Sequence, residues 1–310
     1  MIHTITLNPT LDMTYLVDEF RHEDTTRAHT VYRAPGGKGI NVSRVATRIG
    51  HPTVALGFIA GSTGLEVARR VEDEGVNTWF TPLETGETRT NPVIQDATGN
   101  HLRVSGLGPT ADARSVQSLR DSIFCLKQPD YLLVSGSSLT GVPADFYAQV
   151  IAQAKQEGTR VVVDADGPDL LRGIAAGASL IKPNRFELER LVGRELPEVS
   201  DVLSACRDLL KQHEHLEVIA ASMGGAGALL VTRDSAAHGV PPMVQRGSAV
   251  GAGDSFLAGL LAQLAQGTQP LEALRFAIAC GSATAAALGA GLCTLSGITA
   301  LLPSVVVTEL

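Results

Sequence analysis

Short apolar runs alternate with amphipathic stretches through the last two thirds of the chain. Tyr131-Leu132-Leu133-Val134, Arg160-Val161-Val162-Val163, Leu180-Ile181, Val218-Ile219-Ala220-Ala221 and Ala228-Leu229-Leu230-Val231 read as strands, and 143–157, 185–192 and 200–212 read as helices. Strands with no polar face, separated by helices, belong in a mostly parallel sheet covered on both sides. The first third follows another pattern. Tyr15-Leu16-Val17 and His29-Thr30-Val31-Tyr32 are short strand-like pieces, and 89–95 and 101–105 flank Asp96-Ala97-Thr98-Gly99-Asn100, a hairpin signal. These pieces cannot all join a parallel sheet by short crossovers. A small antiparallel flap is therefore expected, made of segments 13–34 and 88–106 inserted in a single domain spanning 1–310.

Composition narrows the function. Hydrophobic residues make up 44% of the 310, enough for a buried core and too many for a disordered chain. Aromatics at 4% argue against a nucleic-acid binder that stacks bases. The net charge of -7 makes the chain a poor general ligand for polyanions, so any phosphate must be held by a local cluster. The N-terminal residues alternate like a strand and lack the basic-then-apolar pattern of a signal peptide. The best candidate for a membrane span, 273–292, carries Arg275 and is rich in Ala, Gly and Ser. Cys125, Cys206, Cys280 and Cys293 show no metal or redox spacing and read as buried thiols in a reducing compartment. A soluble, cytoplasmic protein without nucleic-acid or membrane partners is expected.

Two glycine clusters carry the chemistry. Pro35-Gly36-Gly37-Lys38-Gly39-Ile40-Asn41 precedes a helix whose Val42, Val45, Ala46 and Ile49 share one face, with Gly50 at its end. Glycines there let backbone amides approach an anion at the positive end of the helix, and Lys38 adds a full charge. A tight turn with an incidental lysine would read the same way. Ser248-Ala249-Val250-Gly251-Ala252-Gly253-Asp254 opens a second helix, buried through Phe256, Leu257, Leu260, Leu261 and Leu264. Gly251, Ala252 and Gly253 present consecutive amides suited to the charge on a transferring phosphoryl group. Asp254 is then a helix cap or a general base facing that charge. Arg27, Arg89 and Arg103 taken alone would pass as solvated charges on a flap, and Glu187 as a surface residue.

Gly36-Gly37-Lys38-Gly39-Ile40-Asn41-Val42 together with Val250-Gly251-Ala252-Gly253-Asp254-Ser255 resemble the paired signature of the PfkB, or ribokinase-like, carbohydrate kinases. Asn8-Pro9-Thr10-Leu11-Asp12, Lys182-Pro183-Asn184-Arg185-Phe186-Glu187 and Ser222-Met223-Gly224-Gly225-Ala226-Gly227-Ala228 follow in the family's order, so the resemblance covers essentially the whole chain. The phosphohexose-kinase branch is most similar, on the N-x-T-x-D start, the G-G-K-G loop and Thr88-Arg89-Thr90-Asn91. The ending Leu302-Pro303-Ser304-Val305-Val306-Val307-Thr308 is most similar to members acting on fructose 1-phosphate.

The resemblance implies a ribokinase-like α/β fold: a central mostly parallel sheet flanked by helices, with a small β-sheet lid. It implies ATP-dependent phosphoryl transfer to the free primary hydroxyl of a ketohexose phosphate, fructose 1-phosphate ahead of tagatose 6-phosphate and fructose 6-phosphate. Asp254 would be the base and Gly251, Ala252 and Gly253 the anion hole. Asp12, Gly37, Asn41 and Ser137 would hold the sugar, and Arg27, Lys38 and Arg89, with Arg103 behind them, its phosphate. Lys182, Asn184, Ser222, Gly224, Gly227 and Ser282 would contact ATP, and Glu187 and Asp164 would hold Mg²⁺ through water. A homodimer joined through the lid is also implied. Ser135-Gly136-Ser137-Ser138-Leu139-Thr140-Gly141 departs from the family by lacking a proline, which bears on sugar specificity. A dinucleotide-dependent oxidoreductase would need G-x-G-x-x-G after the first strand, where Asn8-Pro9-Thr10-Leu11-Asp12 stands instead. A non-catalytic sugar-phosphate sensor would be expected to have lost Asp254 or the nest.

Overall fold

Leu132, Leu133 and Val134, like Val161, Val162 and Val163, are buried on both faces, a state that only the interior of a helix-covered sheet provides. The computed structural model describes residues 1–21, 23–98, 100–244, 250–287 and 291–310. In chain order the elements are β1 (Ile2–Thr6), β2 (Thr10–Val17), β3 (Ala28–Gly36), α1 (Lys38–Arg48), β4 (Thr53–Ala60), α2 (Gly61–Asp73), β5 (Asn77–Leu83), β6 (Arg89–Gln95) and β7 (His101–Arg103). There follow α3 (Ala113–Cys125), β8 (Tyr131–Ser135), α4 (Phe146–Gln156), β9 (Arg160–Asp164), α5 (Gly167–Ala176), β10 (Leu180–Ile181), α6 (Arg185–Val192) and α7 (Val199–Gln212). The chain closes with β11 (Val218–Ser222), β12 (Ala228–Val231), β13 (Ala236–Val240), α8 (Ala252–Ala265), α9 (Pro270–Ala285), α10 (Leu295–Leu301) and β14 (Val306–Glu309).

Ten strands form the main sheet in the order β14-β13-β12-β11-β10-β9-β8-β1-β4-β5. From β11 to β5 the neighbours are parallel; β12, β13 and β14 add an antiparallel edge. Alternation along each strand feeds two cores. Leu132 and Val134 face the helices α3, α4, α5 and α7, while Tyr131 and Leu133 face α1, α8 and α9. The carboxyl ends of β1, β8, β9, β10 and β11 fall at Thr6, Ser135, Asp164, Ile181 and Ser222, the end of a parallel sheet where ligands are received.

The second sheet has the order β3-β2-β6-β7. It differs from the expected flap in one respect: β2 and β6 are parallel, with Thr10 beside Arg89 and Asp12 beside Asn91. The chain reaches β6 only after α1, β4, α2 and β5, so a long crossover replaces the short turn that an antiparallel pairing needs. The hairpin of β6 and β7 is antiparallel as expected, with Gly99 of its turn outside the described residues. Two smaller expectations also shift. Pro143, Ala144 and Asp145 form a turn before α4, and Cys125 is exposed while the other three thiols are buried.

Leu257, fully buried in α8 among the side chains of α1 and α9, sits in the core that fixes the direction of the cleft-facing helix. Leu257→Ala is expected to destabilise the protein by about 2–5 kcal/mol, the cost of lost transfer energy and a cavity. Denaturant unfolding of the two proteins checks this.

Candidate active site

Both glycine clusters become helix starts. Gly37 (φ 120°) precedes α1 and Gly251 (φ 79°) precedes α8, conformations that a residue with a Cβ rarely adopts. A Cβ on Gly251 would also lie 2.7 Å from Leu292 Cδ2. Neither N-cap glycine can cap its helix with a side chain; Thr6 Oγ1 accepts from the Ile40 amide of α1 at 3.1 Å, and both positive ends face the cleft. Both helix starts line one cleft of about 1190 Å³, above the roughly 300–1,000 Å³ of an ordinary ligand pocket and large enough for two substrates end to end. Ser248 and Ala249, which begin the second cluster, lie outside the described residues.

At the centre of the cleft stands Asp254, the third residue of α8 and 9% exposed. Its carboxylate does not cap the helix. Oδ2 accepts a hydrogen bond from Asn41 Nδ2 at 2.8 Å. Burial, with the nearby charge of Asp164, raises its pKa above the ordinary 3.8, against the opposing pull of Asn41, Lys182 and Lys38. Asp164, at the end of β9, is fully buried. Its Oδ1 accepts from Lys38 Nζ at 2.8 Å and lies 3.4 Å from Lys182 Nζ. Burial works against the charge on Lys38, but Asp164 first, then Glu187 and Asp254, overcome it and raise the ammonium's pKa. Lys38, expected in a phosphate clamp beside Arg89, lines the same cleft as Arg89 and is held there by Asp164.

Asn184 and Glu187 close a capping box at the start of α6: Asn184 Oδ1 accepts from the Glu187 amide at 2.9 Å, and Glu187 Oε2 from the Asn184 amide at 2.8 Å. The other oxygen, Oε1, lies 3.7 Å from Lys38 Nζ. Among the described residues no cluster of three metal-ligating side chains occurs. Asp164 Oδ2 is nevertheless buried without a hydrogen-bond partner. One orphaned carboxylate oxygen and one nearby glutamate suit a hard cation that keeps most of its water and phosphate ligands, as Mg²⁺ does.

The second sheet builds the other end. Thr10 and Asp12 alternate onto one face of β2, and Arg89 and Asn91 onto the adjoining face of β6. Asn91 Nδ2 donates to Asp12 Oδ1 at 3.2 Å, and Arg89 is fixed by the carbonyls of Asn8 (3.0 Å) and Gly106 (3.2 Å). Burial raises the pKa of Asp12, against the pull of Asn91, Arg103 and Arg89. Gly37, Arg103 and Ser137 also line this cleft. Arg27 does not. It is exposed, just before β3, whose nine residues span about 30 Å with only the Gly36 end at the cleft.

Lys182, Asn184, Ser222, Gly224, Gly227 and Ser282 all line the cleft. Asn184 and Ser222 form a bridge between neighbouring strand ends, and Gly224 and Gly227 lie in the turn before β12. Sequence reasoning missed the apolar lining here: Phe186, Pro241, Pro242, Met243 and Ile278. These come from three distant segments with no shared motif. Asn91 was legible, since it stands two residues from Arg89 on a strand.

The pattern of the pfkB family carbohydrate kinases matches residues 6–296, and the chain belongs to that family. It is 34% identical to the 1-phosphofructokinase of Bacillus subtilis (strain 168), over 100% of both chains. It is 32% identical to the ATP-dependent 6-phosphofructokinase isozyme 2 of Escherichia coli (strain K12), covering 94% of this chain and 95% of that protein. A solved structure of phosphofructokinase-2 from Escherichia coli, in complex with substrates and products, superposes with a TM-score of 0.93 at 30% identity, covering 98% of each chain.

The raised pKa of Asp254 has a consequence for stability. Between the ordinary 3.8 and the raised value the folded state holds a proton that the unfolded state has lost, so stability falls as pH rises through that window. Asp254→Asn removes the penalty. Its Tm is expected to exceed that of the wild type at pH 7, with the gap closing as the pH falls toward 4; thermal unfolding across pH measures it.

Proposed function

We propose that this pfkB carbohydrate kinase transfers the terminal phosphoryl group of ATP to the free primary hydroxyl of a ketohexose phosphate, fructose 1-phosphate before others. The observation that carries the reading is the position of Asp254: buried, held by Asn41, in the first turn of an uncapped helix, inside a cleft with chemically different ends. Arg89 and Arg103, beside Asp12, form the clamp for the phosphate already on the sugar, since a dianion calls for about two cations. Thr10, Asp12, Gly37, Asn91 and Ser137 face the ring. The nucleotide lies at the other end, its base against the apolar lining of Phe186, Met243 and Ile278 and its phosphates toward Lys182, Ser222, Gly224, Gly227 and Ser282.

Transfer is direct. Asp254 accepts the proton of the attacking hydroxyl as its oxygen bonds to phosphorus and the bond to ADP breaks, with no covalent enzyme intermediate. The amides of Gly251, Ala252 and Gly253 meet the charge on the transferring group. Lys38, poised by Asp164, is placed to do the same from the other helix start. Asp164 and Glu187 would hold Mg²⁺ through water; when bound, that ion neutralises charge on the nucleotide phosphates. Clamped at its phosphate, fructose 1-phosphate offers its C6 hydroxyl and yields fructose 1,6-bisphosphate. The relative in Bacillus subtilis bears the name of that activity.

Two further properties belong to this reading. A homodimer through the small sheet is supported by its exposed Val31, Tyr32 and Leu102, apolar side chains that water disfavours. A cytoplasmic setting is supported by ATP as a substrate and by four free cysteines.

Coupled ADP-release kinetics test the assignment. The kcat/KM for fructose 1-phosphate is expected to exceed those for fructose 6-phosphate and tagatose 6-phosphate by about tenfold, with free fructose poorest because the arginines are left empty. Preference for another sugar phosphate overturns the substrate; preference for free fructose overturns the clamp; no turnover on any of them, with sugar phosphate still bound, favours a sensor. Asp254→Asn is expected to lower kcat by roughly a hundredfold or more while sugar-phosphate Kd changes little. Near-normal kcat would remove Asp254 from the role of base.

A further inference from the structure

We propose that Arg44, braced by Glu74, is a positioning residue that fixes the orientation of the Asn41 amide and through it the carboxylate of Asp254. The inference rests on the reading of Asp254 as the base. Arg44 lies one helical turn beyond Asn41 on α1, at i, i+3, where side chains are neighbours. It is only 4% exposed. Its Nη1 donates to Asn41 Oδ1 at 3.3 Å and to the Pro35 carbonyl at 2.7 Å. Its Nε and Nη2 grip Glu74, just past the end of α2, at 3.0 and 2.7 Å.

A guanidinium can only donate. The face of the Asn41 amide toward Arg44 must therefore be the oxygen, and the NH₂ group is left to point at Asp254, 2.8 Å away. Turning the amide over would set NH₂ against guanidinium and oxygen against carboxylate, losing both bonds and adding two repulsions. Arg44 and the Asp254 carboxylate thus select the same rotamer of Asn41, and Arg44 anchors it from the far side. Its own place is set by Glu74, whose second oxygen holds Arg48 Nη2 at 2.7 Å. Arg48 in turn donates to the Leu292 carbonyl at 3.1 Å, and Leu292 packs against Gly251 at the anion hole. One carboxylate therefore braces the base and, by a separate arm, the amides that face it.

A double-mutant cycle with Asn41 tests this, in the full-length protein, with circular dichroism confirming the fold. Arg44→Ala is expected to lower kcat roughly ten- to a hundredfold, the scale of a small misplacement of a reacting group, while KM for ATP and for sugar phosphate stays within about threefold. Arg44→Lys is expected to recover part of that loss, because an ammonium also only donates. Combining Arg44→Ala with Asn41→Ala is expected to lower kcat no further than Asn41→Ala alone. Additive losses, or a fall in kcat that merely follows the fraction folded, overturn the proposal. If Arg44→Ala does not fold, the same cycle run with Arg44→Lys decides between coupling and additivity. Should Asp254→Asn retain near-normal kcat, the reading of the base fails first; if it is inactive and the cycle is additive, only the role of Arg44 fails.

Discussion

The hydrogen bond from Asn41 to Asp254 joins positions 213 residues apart and brings the starts of α1 and α8 together. Around it the protein gathers the carboxylates of Asp164, Glu187 and Asp254 and the cations Lys38, Lys182 and Arg44, with Lys38 alone partly exposed. Such a cluster is costly to take out of water unless every member is paired. Burial first, and then the nearby charge of Asp164, make the Asp254 carboxyl hold its proton more tightly than an ordinary aspartic acid. The positive ends of two helices add to the positive side of that cluster.

Topology explains how one cleft acquires two chemistries. The parallel strands deliver Thr6, Ser135, Asp164, Lys182 and Ser222 side by side, because their carboxyl ends all lie on one edge of the main sheet. The second sheet brings Asp12, Arg89 and Asn91 through the parallel register of β2 and β6. These two frames meet at Gly36 and Gly37, where β3 turns directly into α1. A displacement of the small sheet would therefore act on Asp12, Arg89 and Asn91 rather than on the strand-end residues of the main sheet.

What the sequence made legible was local. Strand runs, the helix of 185–192 and both helix starts depend on residues a few positions apart, and the structure places them as read. The division into two sheets was also legible, since alternation differs from a continuous apolar run. The parallel pairing of β2 with β6 was not, because it is decided by a crossover of about seventy residues rather than by either strand. The neighbours of Lys38 escaped for the same reason. Nothing near position 38 announces that Asp164 will lie 2.8 Å from its ammonium. Asn184 and Glu187, which the resemblance assigns to ATP and Mg²⁺, also close a capping box, whose spacing is local and could have been read from the sequence.

Buried polar atoms without partners separate the needs of the fold from those of the site. Asn8 Oδ1 and Arg89 Nε belong to cleft-lining residues and Asp164 Oδ2 to the partner of Lys38, whereas His3, His51 and Ser138 lie outside the cleft lining. His3, with both ring nitrogens unpartnered, is different. It stands at the opposite end of β1, and burial lowers its pKa to about 4, so it stays neutral and its cost is the modest one of an unpaired uncharged group. At the cleft the unpaired atoms gather beside charged ones, an arrangement that is unfavourable in the empty protein and relieved by a ligand rich in hydroxyls and phosphate oxygens. Local rules fail at the proposed site as they do at His3 and His51, but in the cleft an exchange of stability for a prepared site gives the failure a reason.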